Sequence, residues 1–294
     1  MARKPHTLSQ IKSLRERYYK TLPGKESLIK IIKEAEIPEH VYNSNAIENS
    51  TLSLEDTEKI LLQIDLERFI SERELFEAKN LARVTEYIES KAKESELTLP
   101  VMLLLHKMLI ANIRDDIAGR FRKGDEWVRV GSHIGADPKN IEKLLVTMLA
   151  AYNGGKDDHI IARIARLHLT FESIHPFCDG NGRIGRTLNN YELIREGYVP
   201  INIAFANRAR YYDAFKEFEE KNSTNIMEEI VGRALTNSYH KRLAYLEGKT
   251  ILSLNEFAKQ NKISYSNLLN KASRQTISAF LEKGVWKIAS DAVV

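Results

Sequence analysis

The chain is poor in cysteine, proline and glycine for its length. One cysteine, Cys178, stands among 294 residues. That excludes an intramolecular disulfide framework and a multi-cysteine metal cluster, and it fits a reducing compartment. Seven prolines, 14 glycines and 8% aromatic residues leave few turn and strand formers, which leans toward a helical protein. Charge of neither sign dominates: 44 Lys and Arg against 40 Asp and Glu give a formal +4. So slight a surplus does not by itself mark a nucleic-acid binder. Long apolar runs are missing too. Stretches such as VMLLL at 101–105 fall far short of the roughly 18–20 residues a bilayer span needs. The basic start, MARKPHTLSQIKSLRERYYK, has no apolar stretch behind it and does not read as a secretory signal. What is present is a 43% hydrophobic chain, long enough for two or three folding units and too apolar to be disordered. The expectation is a soluble, cytoplasmic protein without membrane contact.

The patterning is helical through most of the chain. Residues 1–40 read as short helices broken at Pro23-Gly24 and Pro38, and Ser44 reads as the cap of a short helix carrying Ala46, Ile47 and Glu48. From Ser53 to Ile88 apolar residues recur at helical spacing, with Ser53 and Asp56 as a start signal and Glu55–Lys59 as a favourable i,i+4 pair. Pro100 opens a helix over 100–112. The glycine-punctuated segment GRFRKGDEWVRVGSHIG then reads as a hairpin with its tip at Lys123-Gly124-Asp125. Helices follow over 138–152, 157–173, 182–196, 211–220 and 226–246. Two short helices and a strand over Val285–Ile288 end the chain.

Chemistry is concentrated in residues 167–194, LHLTFESIHPFCDGNGRIGRTLNNYELI. A helix stops at His175-Pro176, and a second begins just past Gly180-Asn181-Gly182. Two glycines around an asparagine let backbone N–H groups converge, and a helix N-terminus adds its positive end, which together make an anion cradle. Arg183 and Arg186 share one face of the first turn, where the dipole opposes them unless an anion is present. Asp179 beside the cradle is a hard carboxylate suited to Mg²⁺ bound jointly with phosphate oxygens. His175 is the one group here that changes protonation near neutral pH, and so the candidate general base. Taken singly, each of these has an ordinary reading as a turn, a packed histidine or solvated arginines. Their conjunction at one helix–loop–helix junction sets the segment apart.

The run from His175 to Arg186 is similar, at each defining position, to the active-site motif of the Fic-domain (Fic/DOC) family; Cys178 occupies a position the motif leaves free. The resemblance extends to Leu167-His168, Phe171-Glu172 and Tyr211-Tyr212, and covers residues 40–235. It implies a protein adenylyltransferase using ATP and Mg²⁺. His175 would deprotonate a Tyr, Thr or Ser hydroxyl of a target protein, or of the chain itself. Asp179 would hold Mg²⁺, while Gly180, Asn181 and Gly182 cradle the phosphates. Arg183 and Arg186 would neutralise the leaving β and γ groups, with Asn190 lining the same pocket. Ser44-Asn45-Ala46-Ile47-Glu48-Asn49 resembles the family's inhibitory helix motif, in which Glu48 would pair with Arg186 and exclude the γ-phosphate. Gly119–Arg122 and Val128–Gly131 resemble its flap, so that Phe121, Val128 and Val130 would align an extended target segment by main-chain pairing.

The implied fold is mainly α: a Fic-type helical core with a β-hairpin flap, plus a small C-terminal winged helix-turn-helix unit. Three consecutive segments are expected: 1–95, a helical region with the inhibitory motif at 44–49; 96–246, the core with flap 119–131 and motif 175–186; and 250–294, the winged unit. A homo-oligomer is expected. De-AMPylation, or transfer of another nucleotide, remains an alternative at the same site. A DNA-binding regulator acting through Lys259, Lys262, Lys271 and Arg274 is the alternative of another class.

Overall fold

The computed structural model describes residues 4–131, 133–155 and 158–294. In chain order its elements are α1 (Lys4–Thr21), α2 (Glu26–Ile47), α3 (Leu54–Leu61), α4 (Glu72–Lys91), α5 (Leu99–Ile110), β1 (Arg129–Val130), β2 (His133–Ile134), α6 (Ile141–Gly154), α7 (Ile160–Ile174), α8 (Asn181–Arg195), α9 (Arg208–Lys221), α10 (Asn225–Leu246), β3 (Ile251–Ser253), α11 (Leu254–Asn261), α12 (Tyr265–Ser273), β4 (Phe280–Glu282) and β5 (Val285–Ala289). The protein is mainly helical, as its composition predicts. Among the described residues no helix is long and apolar enough to cross a membrane.

Local chemistry accounts for most element ends. Ser53 and Asp56 form a reciprocal capping box at α3, Ser71 caps α4 through Glu74 N–H, and Pro100 sits in the first turn of α5. Glu55 and Lys59 meet at 2.8 Å. The continuous helical pattern from Ser53 to Ile88 nevertheless divides, because Gln63 takes a left-handed φ of 58° after α3 and Ser71 starts α4 afresh.

Two expectations near the N-terminus are corrected. Pro38 does not end a helix; it lies inside α2. A proline removes one helical hydrogen bond, but buried Ile32 before it and buried Val41 after it keep the turns on either side packed. Ser44 lies within that same helix and so caps nothing.

The flap is also displaced from its expected position. Its strands pair Arg129 with Ile134 and Val130 with His133, which puts the hairpin tip beside Gly131 (φ 60°) rather than at Lys123-Gly124-Asp125. The earlier turn is closed on itself: the Glu126 carboxylate accepts Lys123 N–H at 2.8 Å and pairs with Arg120 at 2.7 Å.

Contacts divide the chain into Met1–Glu39 with Ile230–Val294, and His40–Glu229. These compact units do not follow the three consecutive segments read from the sequence, because the N-terminal helices pack on residues remote in the chain. In the first unit Tyr18 meets Tyr239 edge-on, Glu36 pairs with Lys241 at 3.1 Å and with Arg242, and Lys283 N–H donates to Glu39 at 2.8 Å. Its C-terminal part holds the two expected short helices, α11 and α12, and a three-stranded antiparallel sheet in the order β3-β5-β4. Leu254, Phe257, Leu268 and Ile288 form the core there, with Trp286 partly buried against it. In the second unit α8 packs against α4, α5 and α7, and every residue from Arg183 to Ile194 is buried.

Candidate active site

The site is built where α7 gives way to α8. His175 ends α7 in a left-handed conformation (φ 50°), its N–H still bonded to Phe171 O at 2.9 Å. Arg122, 2% exposed, fastens this corner to the flap. Its Nε donates to His175 O at 2.8 Å, its Nη1 to Glu126 O at 2.8 Å and its Nη2 to Ala136 O at 2.7 Å, while its backbone N–H donates to Pro176 O at 2.9 Å. The imidazole is mostly buried and its Nδ1 lies 3.3 Å from Glu172 O. Burial disfavours the imidazolium and pulls the His175 pKa down to about 4. At neutral pH the ring is therefore uncharged and able to accept a proton.

The loop that follows is braced from within. Asn181 accepts Phe177 N–H at 2.9 Å and donates to Phe177 O at 2.8 Å, so its amide shapes the loop. The Phe177 ring stacks on His106 at 3.8 Å and leans on Phe121 at 5.3 Å. His106 accepts Gly119 N–H on Nδ1, which leaves Nε2–H to donate to Asp179 O at 3.1 Å. Gly180 (φ 81°) makes the turn into α8, a conformation that favours glycine. No side chain caps α8, so its first N–H groups remain available to an anion.

The two arginines of α8 have different surroundings. Arg183 reaches Glu77 of α4 at 3.1 Å and Asp179 at 3.4 Å. Arg186 is buried. Its Nε donates to Ser44 Oγ at 2.9 Å, its Nη2 to Ser44 O at 2.8 Å and Glu48 Oε1 at 2.9 Å, and its Nη1 to Tyr211 OH at 3.2 Å. Tyr211 OH in turn meets His168 Nε2 at 2.7 Å. Burial opposes the Arg186 charge, but Tyr211, Glu48 and Glu172 more than offset it, and its proton is held more tightly than usual. Beneath it Glu172 is enclosed, with no hydrogen-bond partner on Oε1. Burial and the nearby Glu48 push its pKa up to about 8 despite Arg186.

Glu48, Asp179, Gly180 and Arg183 line one cavity of about 330 Å³, joined by Arg73, Glu74 and Glu77 of α4. Asp179 stays ionised because Arg183 and Arg73 outweigh its burial. Among the described residues no group of three His, Cys, Asp or Glu could hold a metal. One ionised, partly exposed carboxylate on a cavity wall fits a divalent cation only when phosphate oxygens supply the remaining ligands.

Most sequence-predicted residues thus converge; some do not. Asn190 lies away from the cavity, its amide spent on both backbone groups of Ile201 at 2.8 and 3.0 Å. Val130 is exposed on β1, and Val128 O accepts Gly135 N–H at 3.1 Å. Sequence reading gave no site role to Arg73, Glu77, His106, Arg122, Glu172 or Tyr211. The resemblance had marked the segments that hold Arg122, Glu172 and Tyr211; for Arg73 and Glu77 the one local signal was their i,i+4 spacing, a pattern common on solvated helices.

The fold is shared with a Fic domain-containing signalling protein from Bacteroides thetaiotaomicron (TM-score 0.73, 24% identity, 82% of this chain and 98% of that one). It is shared equally with a Fic-1 fragment from C. elegans (TM-score 0.72, 23% identity, 82% and 71%). Residues 96–193 match the model of the Fic/DOC family, so the chain contains a Fic/DOC domain. It is 30% identical over 217 residues to the protein adenylyltransferase Fic of Nematostella vectensis, covering 70% of this chain and 48% of that protein. To the protein of the same name from Drosophila ananassae it is 29% identical over 232 residues, covering 74% and 46%. The chain therefore spans about half the length of the curated relatives it matches.

Proposed function

We propose that the protein transfers AMP from ATP to a Tyr, Thr or Ser hydroxyl of a protein, itself included, and that Glu48 holds this activity low. The observation that carries the reading is the mostly buried His175 imidazole one loop away from an uncapped helix N-terminus that bears Arg183 and Arg186, with Asp179 just ahead of it. The target hydroxyl oxygen attacks the α-phosphorus, the bond to pyrophosphate breaks, and the hydroxyl proton passes to His175 Nε2. Nδ1–H, directed at Glu172 O, keeps Nε2 as the accepting nitrogen. A neutral imidazole is a weak base for an alcohol, so orientation and charge stabilisation supply most of the rate. The first N–H groups of α8 meet the phosphates, and Arg183 and Arg186 face the charge gathering on the leaving group. Asp179 would hold Mg²⁺, which supplies charge neutralisation on the phosphates when bound.

Inhibition follows from competition for one guanidinium. Arg186 Nη2 already donates to Glu48 Oε1, and a γ-phosphate needs the same donor. With Glu48 35% exposed at the cavity, its carboxylate also supports a second reading, orientation of a water that removes AMP from a target.

Incubation with α-labelled ATP tests both. Glu48→Gly should label itself and lysate proteins far more strongly than wild type, and His175→Ala in that background should label nothing. Equal labelling of wild type and E48G would remove the inhibitory role, and labelling that survives H175A would remove the catalytic one. Release of AMP from a pre-labelled target by wild type, lost in E48G, would favour the second reading.

A further inference from the structure

α4 lends two side chains to the loop before α8, and they complete a ring of alternating charge. Arg73 donates through Nε to Glu77 Oε1 at 3.0 Å and through Nη2 to Asp179 Oδ2 at 2.6 Å. Arg183 closes the ring, with Nη1 3.1 Å from Glu77 Oε1 and Nη2 3.4 Å from Asp179 Oδ1. All four side chains lie on the wall of the 330 Å³ cavity.

The two arginines are not equivalent. The Arg183 side chain is 4% exposed, that of Arg73 is 51% exposed. A guanidinium half in water moves off its partner with little desolvation change, whereas a buried one would leave uncompensated charge behind. The two carboxylates are divided accordingly. Glu77 Oε1 serves both arginines, so Arg183 keeps a carboxylate if Arg73 departs. Asp179 Oδ1 is nearest Arg183, while Oδ2 carries the shorter bond to the exposed Arg73.

We infer that Arg73 is a displaceable counter-ion of the metal subsite, occupying Asp179 Oδ2 until a divalent cation takes that oxygen. The inference rests on the reading of Asp179 as the carboxylate that holds the cation. A magnesium-sized ion sits about 2.1 Å from a carboxylate oxygen. A guanidinium nitrogen 2.6 Å from the same atom would then be within a few ångströms of it, where two cations repel strongly. One must yield, and the half-exposed side chain on α4 is free to do so. Arg73 therefore sets how readily the subsite loads: it keeps Asp179 compensated in the empty cavity and raises the cation concentration needed to fill it.

Mn²⁺ serves as the probe, its bound fraction read by electron paramagnetic resonance on the full-length chain with saturating non-hydrolysable ATP analogue. Arg73→Gln should bind Mn²⁺ about fivefold more tightly than wild type, the size expected for losing one part-exposed ion pair. Arg73→Lys, which keeps the charge but lacks the planar fork, should fall between the two; it carries the test if R73Q does not fold. Asp179→Asn should lose the Mn²⁺ signal with or without Arg73. Mn²⁺ binding that survives D179N overturns the assignment of Asp179 itself. Binding lost in D179N but unchanged or weakened in R73Q and R73K overturns the counter-ion role alone.

Discussion

The carboxylate of Glu48 stands in the space that a side chain at Gly182 would need. A β-carbon built on Gly182 would lie 2.1 Å from Glu48 Oε1 and 3.2 Å from Arg186 Nη1. The pair explains why the second glycine of the loop is small: the gap it leaves is where the Glu48–Arg186 contact forms. Gly182→Ala should therefore expel Glu48, whose carboxylate is the far end of a flexible side chain. Alanine favours the helix by up to about 1 kcal/mol, which offsets only part of what the buried Arg186 loses with its carboxylate partner, so the melting temperature should fall. A crystal structure of G182A should show Glu48 more than about 4 Å from Arg186, outside ion-pair distance.

Gly185 makes a tighter demand. A β-carbon there would meet Glu172 Oε1 at 2.4 Å and His168 Cε1 at 3.1 Å, and both neighbours are enclosed between α7 and α8. Neither can swing into solvent, so Gly185→Ala should cost about 1–3 kcal/mol as an overpacked core. Urea unfolding measures this.

Arg122 is a buried cation that spends its donors on backbone carbonyls, those of His175, Glu126, Ala136 and Ile174. Arg122→Met fills much of the volume but removes the guanidinium donors to the carbonyls of His175, Glu126 and Ala136, while Ile174 O keeps Ala136 N–H at 3.1 Å. Charge-assisted hydrogen bonds contribute about 1.5–3 kcal/mol each, so a loss of at least about 3 kcal/mol is expected. Chemical denaturation should show it, together with faster proteolysis of the flap at 123–131.

The lowered pKa of His175, about 4, predicts where activity fails in acid. With AMP transfer assayed in the Glu48→Gly protein, kcat/KM should hold as pH falls through 6.5 and decline only toward about 4, because the imidazole stays unprotonated over that interval. An acid limb centred near 6.5 would mean that the ring is solvated in the working enzyme.

Glu172 predicts a pH dependence of stability with the opposite sign to most carboxylates. Its pKa is about 8 folded against an ordinary 4.5, so between those values the native state holds a proton that the unfolded chain has released. Stability contributed by that proton is complete below 4.5 and is lost as pH rises toward 8. Glu172→Gln should remove this slope: its unfolding free energy should fall less than that of wild type over the same interval.

The active loop was readable because it is local. His175, Asp179, Gly180, Arg183 and Arg186 lie within one helix end, one turn and one helix start, where spacing alone fixes which side chains share a face. The helical class and most element ends were readable for the same reason: caps and breakers act over three or four residues. Ser44 shows where local reasoning stops. A serine ahead of a short apolar run reads as a cap, yet inside α2 its hydroxyl accepts from Arg186, a residue brought to it only by packing. Arg73, Glu77 and Tyr211 are similar. Each belongs to a helix whose exposed pattern would suit solvent, and each gains its role from the helix opposite. Sequence by itself determined the helical fold class and the composition of the loop from His175 to Gly182, since both depend on neighbours along the chain. Tertiary structure decided which carboxylate each arginine meets, because those pairings depend on how helix faces distant in sequence come together.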